Sequence, residues 1–208
     1  VRERLSFNTE HIPEVVKALV SQDTGLQISS EKSSALEAVL VSTCNRSELY
    51  LYSEGCKNEG KGPGITGPQA YALNFLAAHA GMSRSALKKI SYIHSGKDAA
   101  HHLLRVAAGL DSLVLGENEI LGQVRDAAEL AQKGASCGPN LSALFRFAIQ
   151  AGKRVRCETE IGRASLSVAS VVAELAEQTF GSIHRRTALL VGAGKISSLT
   201  GRALVDAG

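Results

Sequence analysis

Two apolar runs separated by seven residues constrain this chain more than any other feature. Val39–Val41 and Leu49–Tyr52 are short, aliphatic, β-branched and aromatic, and read as strands. Between them stands Ser42-Thr43-Cys44-Asn45-Arg46-Ser47-Glu48. A turn between strands usually takes Gly, Pro, Asn and Asp for backbone reasons. This one sets a thiol, an amide and a guanidinium side by side, so the turn carries chemistry.

Helical spacing surrounds that small sheet. Ile12, Val15, Val16 and Leu19 share one face over residues 10–20. Residues 55–68 form a glycine-rich loop; Pro68 suits the first turn of a helix over 69–80, and Gly81 suits its C′ end. Residues 83–89 make a short helical piece, and Ser91–His94 reads as a further strand. Beyond Lys97 the pattern is helical over 98–108, 117–133, 140–159 and 165–180, with Ile120, Val124, Ala127 and Ala131 as one buried stripe. At residue 185 the character changes. Thr187–Val191 reads as a buried strand, followed by Gly192-Ala193-Gly194 and a helical pattern to Ala207. A Rossmann-type domain opens this way, its glycines letting phosphates approach a helix N-terminus. The expected architecture is an α+β domain over 1–160, a small sheet with several helices. A linking helix over 161–184 then leads to the first βα unit of an α/β Rossmann-type domain over 185–208.

Composition narrows the class. Aromatics are 4% of the 208 residues and Trp is absent, so the core is aliphatic and alanine-rich, which favours helices. A net charge of +3 permits a nucleic-acid partner without arguing for one. The four cysteines include no CxxC pair and no zinc-finger spacing, and so few in this length argue against a disulfide framework. No apolar run approaches the ~20 residues of a membrane span, and the opening Val1-Arg2-Glu3-Arg4 is no signal peptide. The expectation is a soluble protein of a reducing cytosol, with no metal.

Several constellations carry chemistry, each beside a plainer reading. Cys44 has Arg46 two residues on, and a guanidinium nearby makes a thiol a better nucleophile. A free cysteine is as often a small buried hydrophobe, so spacing alone leaves Cys44 open. Cys56, Cys137 and Cys157 lack such a setting and read as packing residues. His101 and His102 lie on one helix about 100° apart, so only one of them faces any given site. Ser112, Glu117, Asn118, Glu119 and Gln123 gather at a helix start, with Glu119 and Gln123 on one face. Capping and macrodipole effects account for the acids without a ligand. Arg146, Lys153, Arg154, Arg156 and Arg163 lie within eighteen positions, as a solvated face or a phosphate-contacting patch. GAGKIS, from Gly192 to Ser197, has the first two glycines of G-x-G-x-x-G and Ser in the third place.

Taken in order, STCNRSELY, GLDSLVLGENEILGQVRDA, KRVRCETEIG and LLVGAG resemble the glutamyl-tRNA reductase family over nearly the whole chain. The resemblance implies reduction of glutamyl-tRNA to glutamate-1-semialdehyde with NADPH, the entry to tetrapyrroles. It implies Cys44 as the nucleophile that takes the glutamyl group as a thioester, and His102 as the activity-linked histidine, with His101 the bystander. It places Thr43, Asn45, Arg46, Glu48, Ser112, Glu117, Asn118, Glu119 and Gln123 at the substrate, with Arg46 as a carboxylate clamp. Gly192, Ala193, Gly194, Lys195, Ile196 and Ser197 align with the NADP-binding turn. Glu119 departs from the pattern, standing where the family usually has Gln.

The family also has a strand with a Gly-x-x-His-x-x-Ala-Pro-Val-type tract before the RERLSF segment, and more nucleotide domain and a helical dimerisation domain after it. This chain is therefore expected to hold the acylation site and little of the NADPH site. The resemblance further implies a homodimer, a downstream aminomutase partner, and the cytoplasm, or the plastid stroma for a plant protein. Two other functions remain on the residues alone: another thiol-dependent NAD(P) acyl reductase, and a non-catalytic tRNA-binding relative.

Overall fold

Leu36–Ser42 (β1) and Ser47–Ser53 (β2) pair antiparallel, in register from Leu36 opposite Ser53 to Ser42 opposite Ser47. In the computed structural model, which describes residues 5–7, 9–21, 36–54, 67–112, 115–117, 119–162 and 168–208, this hairpin is the only sheet among the described residues. The 55–66 part of the glycine-rich loop, with Cys56, lies outside them, as do Asn118 and Arg163. Around the hairpin lie helices α1 (Ile12–Val20), α2 (Pro68–Ala80), α3 (Arg84–Lys88), α4 (Lys97–Ala107), α5 (Glu119–Lys133) and α6 (Pro139–Glu158). Helices α7 (Val168–Phe180) and α8 (Lys195–Ala207) follow and pack on each other.

The two-residue period of a strand divides β1 between two cores. Val39 and Val41, with Tyr50 of β2, face a cluster built by Leu103 and Val106 of α4, Ile120 and Val124 of α5, and Phe145 of α6. Ala38 and Leu40 face the other way, onto Val16 and Leu19 of α1 and Tyr71 of α2. Burial on both faces explains why β1 reads as a continuous apolar run rather than an alternating one. Tyr50 meets Phe145 edge-on at 5.3 Å, which adds an aromatic pair to the larger core.

Buried polar groups fasten the hairpin to α6. Glu37, 4% exposed, accepts the backbone N–H of Asn140 at 3.1 Å and of Leu141 at 2.6 Å. These are orphan donors of a helix N-terminus, and a carboxylate there also complements the macrodipole. On the outer edge of β1, the Ala38 N–H donates to the Ser136 carbonyl at 2.8 Å, and the Ser136 hydroxyl donates to the Ala38 carbonyl at 3.0 Å. Helix α6 crosses α4 at Gly152, where an added Cβ would lie 2.5 Å from the Ala107 carbonyl. Glycine is required by that approach.

Two expected strands are not formed. Ser91–His94 has no ladder bonds and forms neither strand nor helix. Thr187–Val191 is also without a ladder, and Leu189 and Val191 are 88% and 91% exposed. A strand needs a neighbour for its N–H and C=O groups, and no described residue supplies one. The Rossmann unit expected over 185–208 is therefore present only as the glycine turn and α8. No helix among the described residues is long and apolar enough to cross a membrane.

Candidate active site

The loop joining the strands is held by its own threonine. The Thr43 N–H donates to the Arg46 carbonyl at 2.8 Å, and Thr43 Oγ1 accepts the N–H groups of Asn45 and Arg46, both at 3.1 Å. Such a hydroxyl-capped turn needs no glycine. It leaves Cys44 and Asn45 exposed at the tip. Residues 5–7 brace the base of the loop. The Ser47 hydroxyl donates to the Leu5 carbonyl at 2.7 Å, and the Phe7 N–H donates to Ser42 Oγ at 3.3 Å.

Arg46 turns to carboxylates. Its Nη1 donates to Glu48 Oε1 at 2.8 Å and to Asp111 Oδ2 at 3.2 Å, and its Nη2 donates to the Asp111 carbonyl. Glu48 is the hub. Its Oε1 also accepts from the Tyr92 hydroxyl and lies 3.0 Å from Nε2 of His102, while its Oε2 accepts from the Tyr50 hydroxyl. Burial alone would raise the Glu48 carboxyl. Hydrogen bonds from His102, Tyr50 and Tyr92 outweigh it and hold the group at about 2, against an ordinary 4.5. Burial, reinforced by the Glu48 charge, pushes both phenols up, so they stay neutral donors.

His102 is half-buried and meets Glu48, while His101 is exposed. The imidazole of His102 is flanked by the rings of His94 at 4.9 Å and Tyr92 at 5.2 Å. Tyr50, Tyr92, His94 and Asp111 were not singled out from the sequence. Tyr50 was reachable, since residues two apart on a strand share a face with Glu48. Asp111 sits inside the GLDS tract. Tyr92 and His94 carried no signal, because Ser91–His94 read as a strand.

Through Asp111 the segment before α5 meets the loop at Arg46. Ser112 follows directly, its hydroxyl buried without a partner among the described residues. Arg156 organises this segment from α6. It donates to the carbonyls of Ala107 at 2.9 Å, Gly152 at 3.1 Å and Glu117 at 2.9 Å. Glu119 opens α5 with its side chain exposed, and Gln123 is half-buried one turn on.

The same contacts revise the basic tract. Arg156 faces inward, and Arg154 is paired with Glu158 at 2.9 Å. Of the tract's described cations, Arg146, Lys153 and Arg154 stay exposed, and Arg146 lies 5.6 Å over the Phe147 ring. No group of acids, histidines and cysteines among the described residues has a metal-holding arrangement.

A cavity of about 340 Å³ runs along the free edge of β2, walled by Glu48, Tyr92, His94 and His102 and floored by leucines of α2 and α6. Cys44 is not on its lining. At the other end of the chain, Gly192 has φ +119°, and a Cβ on Gly192 or Gly194 would meet nothing within 4 Å. Gly194 caps α8, which Lys195 opens, and Ile196 and Ser197 lie in its first turn. Ser197 borders a groove with Leu190, Gly192 and Arg202.

Cys44 stands exposed on the turn whose Arg46 binds Glu48, the carboxylate that also meets His102, and a thiol is the side chain that accepts the acyl group in cysteine-based acyl transfer. The profile of the family described as "Glutamyl-tRNAGlu reductase, N-terminal domain" matches residues 1–159. The chain belongs to the glutamyl-tRNA reductase family. The glutamyl-tRNA reductase of Ectopseudomonas mendocina is 38% identical over 208 residues, which is 100% of this chain and 44% of the relative. That of Rubrobacter xylanophilus is 45% identical over 178 residues, 86% of this chain and 39% of the relative. The solved glutamyl-tRNA reductase from Methanopyrus kandleri superposes with a TM-score of 0.55 at 29% identity, over 100% of this chain and 44% of that one. The chain thus spans less than half the length of these relatives.

Proposed function

We propose that this chain carries the acylation site of a glutamyl-tRNA reductase, in which Cys44 takes the glutamyl group from glutamyl-tRNA as a thioester. The carrying observation is the Arg46–Asp111 contact, which sets the exposed Cys44 turn against the segment holding Ser112 and Glu117. The Cys44 sulfur attacks the ester carbonyl, the carbon–oxygen bond to the ribose breaks, and the thiol proton ends on the departing tRNA hydroxyl. An ester is already activated, so one good nucleophile and donors for the developing oxyanion suffice.

Arg46 retains the means to clamp a carboxylate. Three of its five N–H groups are engaged by Glu48 and Asp111, which leaves Nε–H and one Nη2–H on a common edge. That edge matches a carboxylate bidentately. The Ser112 hydroxyl, without a partner among the described residues, offers a second donor on the segment that Arg46 meets at Asp111. Thr43 holds the turn and Asn45 lies at its tip; Glu117, Glu119 and Gln123 are the remaining substrate positions of this reading, together with Asn118, which lies outside the described residues.

The turn from Gly192 to Ser197 fits a phosphate, because its glycines face open space at the N-terminus of α8. These residues would hold NADPH, which when bound supplies the hydride that makes the aldehyde, glutamate-1-semialdehyde. In this reading the complete protein serves tetrapyrrole synthesis in the cytoplasm or plastid stroma, as a homodimer passing its aldehyde to an aminomutase.

Transfer of radiolabelled glutamate from glutamyl-tRNA onto the chain, without NADPH, tests the reading. Label retained by wild type and absent from Cys44→Ser is the expected result. Equal retention by folded wild type and variant would remove Cys44 as the acceptor.

A further inference from the structure

Glu48 is surrounded by protein donors. Arg46, Tyr92 and His102 meet Oε1, and Tyr50 meets Oε2, at a residue only 7% exposed. A carboxylate has about four acceptor positions. With four protein donors on it, three at Oε1 and one at Oε2, Glu48 is engaged from within the fold and acts through what it holds.

Resting on the proposed acylation at Cys44, we infer that Tyr50 and Tyr92 are positioning residues: through Glu48 their hydroxyls hold Arg46 in place and keep His102 in one tautomer, with hydrogen on Nε2 and Nδ1 open. The assignment follows from hydrogen-bond chemistry. The Arg46 guanidinium can only donate and brings a positive charge to Glu48 at 2.8 Å, and both phenol hydroxyls donate to the same carboxylate, so it stays ionised and has no proton to give. The contact at 3.0 Å therefore requires the His102 Nε2 to donate. In the neutral ring the basic lone pair then belongs to Nδ1. Flanking rings restrain the imidazole, His94 at 4.9 Å and 32°, Tyr92 at 5.2 Å and 64°.

The titratable and charged groups around Glu48 come from three places. The hairpin brings Arg46 and Tyr50, the segment before α4 brings Tyr92 with His94 behind it, and α4 brings His102. Asp111 lies beyond Arg46 and shares its Nη1. Removing the phenol donors leaves the buried charge supported by Arg46 and His102 alone. The carboxyl should then take up a proton more readily, and the protonated form no longer dictates the His102 tautomer.

The test is nuclear magnetic resonance on the full chain, with labelled Glu and His, for wild type, Tyr92→Phe, Tyr50→Phe, their double variant and Glu48→Gln. Tyr92 is a residue 56% exposed, so its variant does not threaten the fold. The double variant should raise the Glu48 titration midpoint by ~1 pH unit or more. Wild-type His102 should show hydrogen on Nε2, and Glu48→Gln should give mixed tautomers. Single-turnover acylation of Cys44 should fall ~10-fold in the double variant, with KM rising as well because Arg46 is held less firmly. An unmoved Glu48 midpoint, an unmoved tautomer, or Tyr variants acylated at the wild-type rate would overturn the assignment. The resonance readouts need no tRNA, so wild type that shows them yet accepts no glutamate defeats the proposed function and not the tautomer assignment.

Discussion

Arg46 and Asp111, 65 residues apart in sequence, are joined twice, side chain to side chain and through the Asp111 carbonyl. The joint makes one site of a strand turn and the end of a helix. Asp111→Ala keeps the carbonyl contact and loses the carboxylate, so the guanidinium is held less well. KM for glutamyl-tRNA in label transfer should rise ~5–20-fold, the equivalent of ~1–2 kcal/mol. Arg46→Lys should be worse, since one ammonium cannot serve Glu48, Asp111 and a substrate carboxylate together. An unchanged KM in both variants would show that Arg46 does not meet the substrate.

Stability should depend on pH through Glu48. Its folded value of about 2 lies below the ordinary 4.5, so the unfolded chain binds the extra proton in between. The contribution is fully present above about pH 4.5 and disappears as pH falls towards 2. It amounts to roughly 3 kcal/mol. Chemical denaturation at pH 6 and pH 3 reads it directly, and Glu48→Gln should flatten the difference. A wild-type curve as flat as the variant's would contradict the hub role of Glu48.

Two helical glycines should respond in opposite directions. Gly152→Ala places a Cβ 2.5 Å from the Ala107 carbonyl and 2.9 Å from Leu121 Cδ1, so α6 must shift from α4. A loss of ~1–3 kcal/mol is expected. Gly122, on α5, faces nothing within 4 Å. Gly122→Ala should gain ~0.5–1 kcal/mol from helix propensity. Thermal melts of the pair separate a packing glycine from an incidental one.

The basic face of α6 divides in the same way. Lys153→Glu reverses an exposed charge, and it should weaken tRNA binding and reduce its salt dependence while leaving the melting temperature unchanged. Arg156→Glu breaks bonds to Ala107, Gly152 and Glu117 and should lower the melting temperature by several degrees. An intact melt with Arg156→Glu would mean those carbonyl bonds contribute little.

Which features were legible follows from the range of the forces involved. Pro68, Gly81 and the apolar stripes of α1 and α5 are local signals, and the helices stand where those signals lie. Ser83 caps α3 by accepting the Ala86 N–H at 3.2 Å, an equally local device. Ser91–His94 and Thr187–Val191 have strand composition, but a strand is completed by a partner that composition does not specify. His102 could be separated from His101 only by the family pattern. The reason for the difference, Glu48 lying 54 residues away, is spatial.

By itself the sequence determined the hairpin, the helix spans and the thiol turn, because turn chemistry and apolar periodicity act over a few residues. Tertiary structure alone decided that Glu48 collects four donors, that Arg46 reaches Asp111, and that Arg156 points inward. Hydrogen bonds to a buried carboxylate or carbonyl depend on which distant groups share its desolvated surroundings. Packing of α4, α5 and α6 over the hairpin sets those neighbours.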